Sequence, residues 1–105
     1  MGSEIENIAS ATSNEDKFVL MLFISGMSVK SISAIENLRE ICDTYLAGNF
    51  ELEIIDISQQ LDLAAKHQII ATPTLIKTKP SPQKTILGDL SNKNKVLNAL
   101  DIIAK

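Results

Sequence analysis

The chain has 105 residues, of which 45% are hydrophobic and 22% are charged, and its formal net charge is −3. This length suits one domain with a single hydrophobic core. The single Cys42 cannot form an internal disulfide, and with His67 as the only histidine the sequence predicts no metal site. No apolar run is long enough for a membrane helix, and the start lacks the basic-then-apolar order of a secretory signal. These features predict a cytoplasmic protein that does not enter a membrane.

Charge is distributed unevenly along the chain. Residues 1–16 are acidic and polar with no basic residue, which predicts a flexible N-terminal extension before a domain formed by residues 17–105. The segment 77–105 instead holds six lysines against two acidic residues. This asymmetry can steer a charged protein partner. Without arginine clusters or interleaved aromatic residues, it does not predict nucleic-acid binding.

The N-terminal half of the domain predicts a strand, a helix and a second strand. Phe18–Ser25, FVLMLFIS, is a continuous apolar run typical of a central strand covered on both faces. From Ser31 to Leu46 apolar residues recur at helical spacing, which predicts an amphipathic helix that ends at Gly48. The predicted buried face of this helix consists of Ile32, Ile35, Leu38, Ile41, Cys42 and Tyr45. Glu51–Ile57 then predicts a second buried strand, parallel to the first after a right-handed crossover.

The C-terminal half predicts a short helix, two strands and a last helix. The short helix covers Gln59–His67, and the strands cover Thr74–Thr78 and Lys84–Leu87, with the loop Pro80–Pro82 between them. Ser91 is the predicted N-cap of the last helix. The predicted buried stripe of that helix is Val96, Leu97, Leu100 and Ile103. The order β-α-β-α-β-β-α is that of an α/β thioredoxin-like fold.

The stretch Ala71–Thr74, ATPT, is what a thioredoxin-like domain shows where a cis proline, here Pro73, opens the third strand beside the redox site. Thiol–disulfide exchange needs a reactive thiolate at the start of the first helix and a second thiol separated from it by an intervening pair of residues. Ser28 and Ser31 occupy these places, and two hydroxyls cannot cycle electrons. Cys42 lies further along the helix, where a buried core residue is the expected role. The sequence therefore predicts no thiol oxidoreductase activity.

Other polar residues have structural interpretations. His67 is predicted to be an exposed residue at the end of the short helix, where it interacts with the helix dipole. Asp56 follows a strand and is expected to form an Asx turn or to place its charge at a helix N-terminus. Gly88-Asp89 is expected to form a tight turn before the last helix. These groups make no catalytic set and imply no cofactor.

Four segments carry a resemblance to a known family: FVLMLFISG, ELEIIDI, IIATPTLIK and GDLSNKNKVLNALDII. Together they resemble the KaiB family, the small adaptors of the cyanobacterial circadian oscillator, over most of the chain from Phe18 to Ile103. The resemblance implies a non-enzymatic protein that binds KaiC, a hexameric RecA-like ATPase. It also implies competition at KaiC with the thioredoxin-like sensor domain of the histidine kinase SasA.

The resemblance further implies two conformations of the region from about Gln59 to the C-terminus. One is thioredoxin-like and binds the partner, and the other is a ground-state fold that assembles as a tetramer. The residues associated with this switch are Pro73, Pro80, Pro82 and Ala99. A cis X-Pro bond costs only about 0.5–1 kcal/mol over trans, so two arrangements of such a chain can lie close in free energy.

The resemblance implies partner contacts by Lys77, Lys84 and Asp101. This chain departs from the family where basic residues commonly face KaiC, because Ser33, Gln68 and Thr85 stand there. These changes suit a divergent homologue used in clock-like, stress or light regulation, with a dimer or tetramer as its own assembly.

Two other functions remain open. One is a detached sensor domain of the SasA type, which a kinase transmitter domain in the same gene would identify. The other is a thioredoxin-fold enzyme that uses a serine or Cys42, against which the missing catalytic set argues.

Overall fold

The computed structural model describes residues 17–102. The predictions for the N-terminal extension 1–16 and for Ile103 lie outside the described residues. Secondary structure follows the order β1 (Phe18–Ile24), α1 (Val29–Ile41), β2 (Phe50–Asp56), α2 (Leu61–Lys66), β3 (Thr74–Lys79), β4 (Lys84–Leu87) and α3 (Lys93–Ala99). This is the predicted thioredoxin-like order.

The four strands form one sheet with the order β2-β1-β3-β4. β1 pairs in parallel with β2, from Phe18 opposite Phe50 to Ile24 opposite Asp56, and antiparallel with β3. β4 then pairs antiparallel with β3. The predicted central strand and parallel pair are confirmed.

The prediction of β2 as a buried strand is wrong, because β2 lies at an edge of the sheet. Glu51 and Glu53 on this strand are exposed, and Ile55 is its only residue that is fully buried. Carboxylates at alternate positions mark a strand with one solvated face, whereas β1 has none.

β1 separates two hydrophobic clusters, and this explains its unbroken apolar sequence. Leu20, Leu22 and Ile24 point into the larger cluster, which contains residues of α1 and α3. Phe23 points the other way, into a smaller cluster with Ile55 and Ile76 beside α2. Because successive side chains of a strand face opposite sides of the sheet, an apolar residue is required at every position of β1.

The first helix begins two residues before its predicted start and changes character near its end. A π-helical turn, Cys42–Leu46, follows the regular helix, and the chain then leaves through left-handed residues at Ala47 (φ 47°) and Gly48 (φ 84°). The buried positions of the two segments are Ser31, Ala34, Leu38, Ile41, Cys42 and Leu46. Ile32 is 38% exposed, so its predicted place in the buried stripe is wrong. Ser31 takes the position against the sheet instead.

The predicted cap of the last helix is wrong by one residue. The N-cap of α3 is Asn92, whose Oδ1 accepts a hydrogen bond from the Lys95 N–H at 3.1 Å. The Ser91 N–H donates to the Asp89 carboxylate at 3.1 Å, so Ser91 belongs to the turn before the helix. The predicted stripe of this helix extends to Leu100 and Ile103, but the helix ends at Ala99. Within residues 17–102 no helix is long and apolar enough to cross a membrane.

Candidate partner-binding surface

The start of α1 holds two serines where a thioredoxin carries its thiols. The Ser28 Oγ caps the helix by accepting a hydrogen bond from the Ser31 N–H at 3.2 Å. The Ser28 hydroxyl also donates to the Ser31 Oγ at 3.0 Å. Ser28 is exposed, whereas Ser31 is 1% exposed. The pair thus keeps the spacing and unequal burial suited to a disulfide but carries no sulfur.

The loop before β3 reaches the same end of the sheet, because Phe23 near the end of β1 lies opposite Thr74. The Thr72–Pro73 peptide bond is cis, as the sequence predicts. The Pro73 carbonyl accepts a hydrogen bond from the Gly88 N–H at 3.0 Å, and the Thr74 hydroxyl donates to the Ala71 carbonyl at 2.6 Å. We call this part of the molecule, formed by Ser28, Ser31, Thr72 and Pro73, the serine end.

Exposed apolar side chains border the serine end. Met27 is 68% exposed, Val29 82%, Ile70 90% and Leu87 57%. Ile70 and Leu87 also line a groove of about 430 Å³ between the end of α2 and strand β4. The groove is lined by His67, Gln68, Ile69, Ile70, Thr74, Ile76, Gln83, Thr85 and Leu87. None of these is a lysine, arginine, aspartate or glutamate, so the groove is a neutral surface of mixed apolar and amide character.

His67 lies at the end of α2, as predicted, but it is half-buried rather than exposed. Its ring centroid is 5.5 Å from that of Phe23, with an interplanar angle of 52°. Phe23 belongs to the smaller hydrophobic cluster, and the tilted contact places the imidazole against it. The position of His67 between this cluster and the groove gives it a packing role.

Asp56 and Cys42 have structural roles in the described region. The Asp56 carboxylate accepts hydrogen bonds from the Ser58 hydroxyl at 2.7 Å and from the Ser58 N–H at 3.0 Å, which confirms the Asx turn. These bonds lower the pKa of Asp56, with the hydroxyl as the largest cause.

Burial, with a smaller contribution from Asp43, raises the pKa of the Cys42 thiol to about 11. Such a thiol is protonated at neutral pH and is a poor nucleophile. Among residues 17–102, no group of three or more His, Cys, Asp or Glu side chains is placed to hold a metal ion.

The opposite end of the sheet, where β1 begins and β3 finishes, carries Lys77, Lys79 and Lys84, and we call it the lysine end. The Lys77 side chain is fully buried. Its Nζ lies 3.7 Å from the Asp101 Oδ2 and 5.8 Å from the centroid of the Phe18 ring. This Nζ makes no hydrogen bond within the described part of the chain. Lys77 therefore presents no charge to a partner in this conformation.

The other predicted contact residues are more accessible. Lys84 is half-buried, and the Asp101 side chain is 58% exposed. Gln68 and Thr85 are both exposed and line the same groove. Ser33 is half-buried on α1 and does not line the groove. The structure thus brings two of these positions together and keeps Lys77 away from the surface.

The exposed apolar border was missed by the sequence interpretation. Its signal was present in IIATPT, where Ile69 and Ile70 precede the proline in a segment that is too short and irregular to bury both side chains. Ile69 packs against the smaller cluster, whereas Ile70 is left almost fully exposed. An unburied isoleucine beside a groove is informative because large apolar side chains are usually buried.

Comparison of sequences identifies close relatives. The sequence model of the KaiB domain matches residues 21–102. A protein of Synechocystis sp. named circadian clock protein KaiB3 is 46% identical over 88 residues, covering 84% of this chain and 86% of that protein. The circadian clock oscillator protein KaiB of Prochlorococcus marinus is 41% identical over 86 residues, covering 82% of each chain.

Comparison of structures supports the fold. The N-terminal domain of SasA from Synechococcus elongatus superposes with a TM-score of 0.66 at 22% identity, covering 81% of this chain and 84% of that domain. The mitochondrial thioredoxin 3 of Saccharomyces cerevisiae gives a TM-score of 0.66 at 13% identity, covering 90% and 89%. At these identities the likeness shows a shared thioredoxin-like fold alone.

Proposed function

This chain belongs to the KaiB family, and on that basis we propose that it is a non-enzymatic adaptor that binds a KaiC-type hexameric RecA-like ATPase. The process it serves is clock-like, stress or light regulation in the cytoplasm. Relatives that match most of its length are named as clock proteins, which supports this class of function.

The observation that carries the proposal is the pair of serines at the start of α1. The fold supplies a helix N-terminus, a neighbouring cis proline and the right spacing, but Ser28 and Ser31 are hydrogen bonded to each other. Cys42 is buried, and burial raises its pKa to about 11. A redox frame without an accessible thiolate supports recognition of a partner in place of thiol chemistry.

We assign the docking surface to the groove and the apolar border of the serine end. Gln68 and Thr85 stand in the groove at positions where the family resemblance implies basic residues. Ile70 beside them supplies an exposed apolar side chain. A neutral groove favours partner contacts by apolar and amide groups, because no charge in the groove is available to pair with a carboxylate.

Lys84 and Asp101 are proposed as contacts outside the groove, where they add charge-dependent attraction. Lys77 stays a proposed contact only for a conformation in which its segment has moved, because its side chain is fully buried here. We also propose that the region from about Gln59 to the C-terminus has the alternative ground-state fold of the family, with Pro73, Pro80, Pro82 and Ala99 as switch residues. A dimer or tetramer of that form is the proposed self-assembly.

Binding to a purified KaiC-type ATPase tests the docking surface. We expect Ile70→Asp to weaken binding at least about tenfold, because it places a carboxylate at the apolar border. Leu61→Asp is the matched control, since Leu61 is 70% exposed but does not line this groove. Equal affinities of the two variants would place the site elsewhere, and no binding by the unaltered protein would reject the adaptor proposal for this partner.

Lys84→Glu tests the contribution of charge outside the groove. We expect weaker binding and a smaller dependence of the affinity on salt concentration, because one favourable charge is reversed. Lys77→Glu is unsuitable for this purpose, because a charge reversal in the core changes the fold as well as the surface.

A detached sensor domain of the SasA type is the second candidate function, since the SasA N-terminal domain has the same fold. The two functions differ in their kinase contacts. A sensor domain supplied in trans should raise autophosphorylation of a SasA-type transmitter when the ATPase is present, whereas an adaptor should compete with the SasA sensor domain. An autophosphorylation assay with both proteins distinguishes the two outcomes.

A further inference from the structure

The Lys77 side chain is a cation buried in the sheet, with one charged side chain near it. Lys77 lies in the middle of β3, and its side chain is 0% exposed. It lies on the same face of the strand as Leu75, which belongs to the larger cluster. Within residues 17–102, its Nζ donates no hydrogen bond, so charge neutralisation there depends on nearby groups at longer range.

Those groups are far apart in the sequence, one in the first strand and one after the last helix. The Phe18 ring, at the start of β1, lies 5.8 Å from the Nζ and offers a weak cation–π contact. The Asp101 carboxylate lies 3.7 Å away and is the anionic partner of Lys77 in the described structure. Asp101 follows α3, so the anion is present only while the C-terminal segment lies against the sheet.

The backbone holds Asp101 in an unusual conformation. Its φ is +61°, in the left-handed region, and its N–H donates to the Asn98 carbonyl at 3.1 Å. The following Ile102 N–H donates to the Leu97 carbonyl at 2.9 Å. These bonds terminate α3 and fix the carboxylate relative to the helix. Aspartate and asparagine tolerate this conformation better than most residues, so Asp101→Asn leaves it available.

A carboxylate at this place is unfavourable for α3 by itself. The C-terminal end of a helix carries partial negative charge from its free carbonyls, and an anion there is repelled. Asp101 therefore opposes the helix dipole while it neutralises Lys77. Whether the Asp101 carboxylate stabilises or destabilises α3 therefore depends on the presence of the Lys77 cation.

We propose that Lys77 and Asp101 form an electrostatic latch that holds the C-terminal segment, residues 93–102, against the sheet. Undocking of the segment separates Lys77 from the Asp101 carboxylate, and docking restores the ion pair. A group that takes the Asp101 carboxylate on its exposed side, such as a cationic side chain of another protein, would weaken the latch. Docking of α3 on the sheet is thereby coupled to ion pairing between Asp101 and another protein, whichever partner the protein binds.

The test is a double-mutant cycle on the full 105-residue chain, with amide hydrogen exchange of residues 93–102 measured by NMR. With Lys77 present, Asp101→Asn should increase exchange of these amides about tenfold or more. In the Lys77→Met background, the same substitution should leave exchange unchanged or slow it, since only repulsion from the helix dipole is removed. Lys79→Met, an exposed lysine two positions along the same strand, is the matched control background and should behave like the unaltered protein.

Equal acceleration with Lys77 present and in the Lys77→Met background would overturn the proposal, and so would no acceleration with Lys77 present. Lys77→Gln provides a second neutral background should the methionine variant fail to fold, with the same two outcomes. A latch predicts a reversal or loss of the Asp101 effect in both neutral backgrounds, whereas a purely local role of Asp101 in ending α3 predicts the same effect in all.

Discussion

The serine end and the lysine end of the sheet differ in how completely their polar groups are matched. At the serine end the buried Ser31 accepts from Ser28, and the Pro73 carbonyl accepts from Gly88. At the lysine end a buried Nζ makes no hydrogen bond within residues 17–102, and its anion is 3.7 Å away. One end keeps the geometry of a redox site with its polar groups satisfied, whereas the other retains a charge that the fold does not fully compensate.

This difference separates the proposed recognition surface from a region of conformational sensitivity. Hydrogen bonds at the serine end satisfy the cap of α1 and the loop before β3. A buried charge with a long, single ion pair makes the lysine end sensitive to small changes in its surroundings. Substitutions of the buried Lys77 should therefore act on the fold, whereas substitutions at the serine end should act on binding or chemistry.

The largest expected effect is that of Lys77→Glu. This substitution places an anion in the same buried position beside Asp101, so attraction becomes repulsion in a poorly solvated site. We expect a loss of about 3–5 kcal/mol in the free energy of unfolding, as for breaking a buried ion pair. Chemical denaturation followed by circular dichroism measures it.

Lys79→Glu is the control for that prediction, because Lys79 is exposed on the same strand. Its effect should stay within about 0.5 kcal/mol, as is usual for surface positions. Similar losses in both variants would mean that burial of Lys77 has no special consequence, and the contrast between the two ends would fail.

Restoring sulfur at the serine end should produce the next largest effect. In the variant Ser28→Cys with Ser31→Cys, the two side-chain atoms start from an oxygen separation of 3.0 Å and the first thiol lies at a helix N-terminus. We expect a disulfide to form and insulin reduction to rise at least about tenfold above the unaltered protein, because helix N-termini favour the thiolate.

The natural Cys42 provides the control. Burial raises its pKa to about 11, so it stays protonated at the assay pH and should not compete for the new disulfide. Adding Cys42→Ser should leave the activity of the double-cysteine variant unchanged. Insulin reduction by the unaltered protein that Cys42→Ser abolishes would contradict the non-enzymatic proposal.

The sequence predicted the frame of the fold well because its strongest patterns are physically unambiguous. FVLMLFIS can be covered on both faces only at the centre of a sheet, and the prolines at positions 80 and 82 restrict the loop between β3 and β4. Boundaries were less accurate where neighbouring residues compete. Ser91 is a good cap by type, but the Asp89 carboxylate binds its N–H, and Asn92 takes the cap.

The candidate site was only partly predictable, for a different reason. The serines at positions 28 and 31 are read directly from the sequence, and the cis proline is a local feature that ATPT predicted correctly. Burial of Lys77 is not local. It depends on α3 covering the sheet and on Asp101 arriving beside it, and a lysine in a strand is exposed far more often than it is buried.

A smaller loss of stability is expected from removing the N-cap of α3. This helix begins near the serine end and finishes near Asp101. Asn92→Ala should reduce the free energy of unfolding by about 1 kcal/mol, because it removes the side-chain cap on the Lys95 N–H. Ser91→Ala is the comparison variant and should have a smaller effect, since it removes a hydroxyl bond to the Asp89 carboxylate but keeps the Ser91 N–H bond and the Asn92 cap. Thermal unfolding of the two variants decides between them, and a larger loss in the Ser91 variant would favour the cap expected from the sequence.

The smallest expected effect is that of Ala99→Gly, at the C-terminal end of the same helix. Alanine is favoured over glycine by about 1 kcal/mol in a helix interior, but Ala99 is the last residue of α3, where fewer helical bonds depend on its conformation. Its methyl group is partly buried against the larger cluster, which adds a small packing loss. We therefore expect a decrease of a few tenths to about 1 kcal/mol in the stability of the thioredoxin-like state. Since about 1.4 kcal/mol changes an equilibrium constant about tenfold, this corresponds to a change of less than about fivefold relative to the proposed alternative fold.

NMR chemical shifts of residues 93–99 in dilute solution report both populations. A shift far above fivefold would give Ala99 a role that its position at the helix end does not explain, and no shift would remove it from the proposed switch residues.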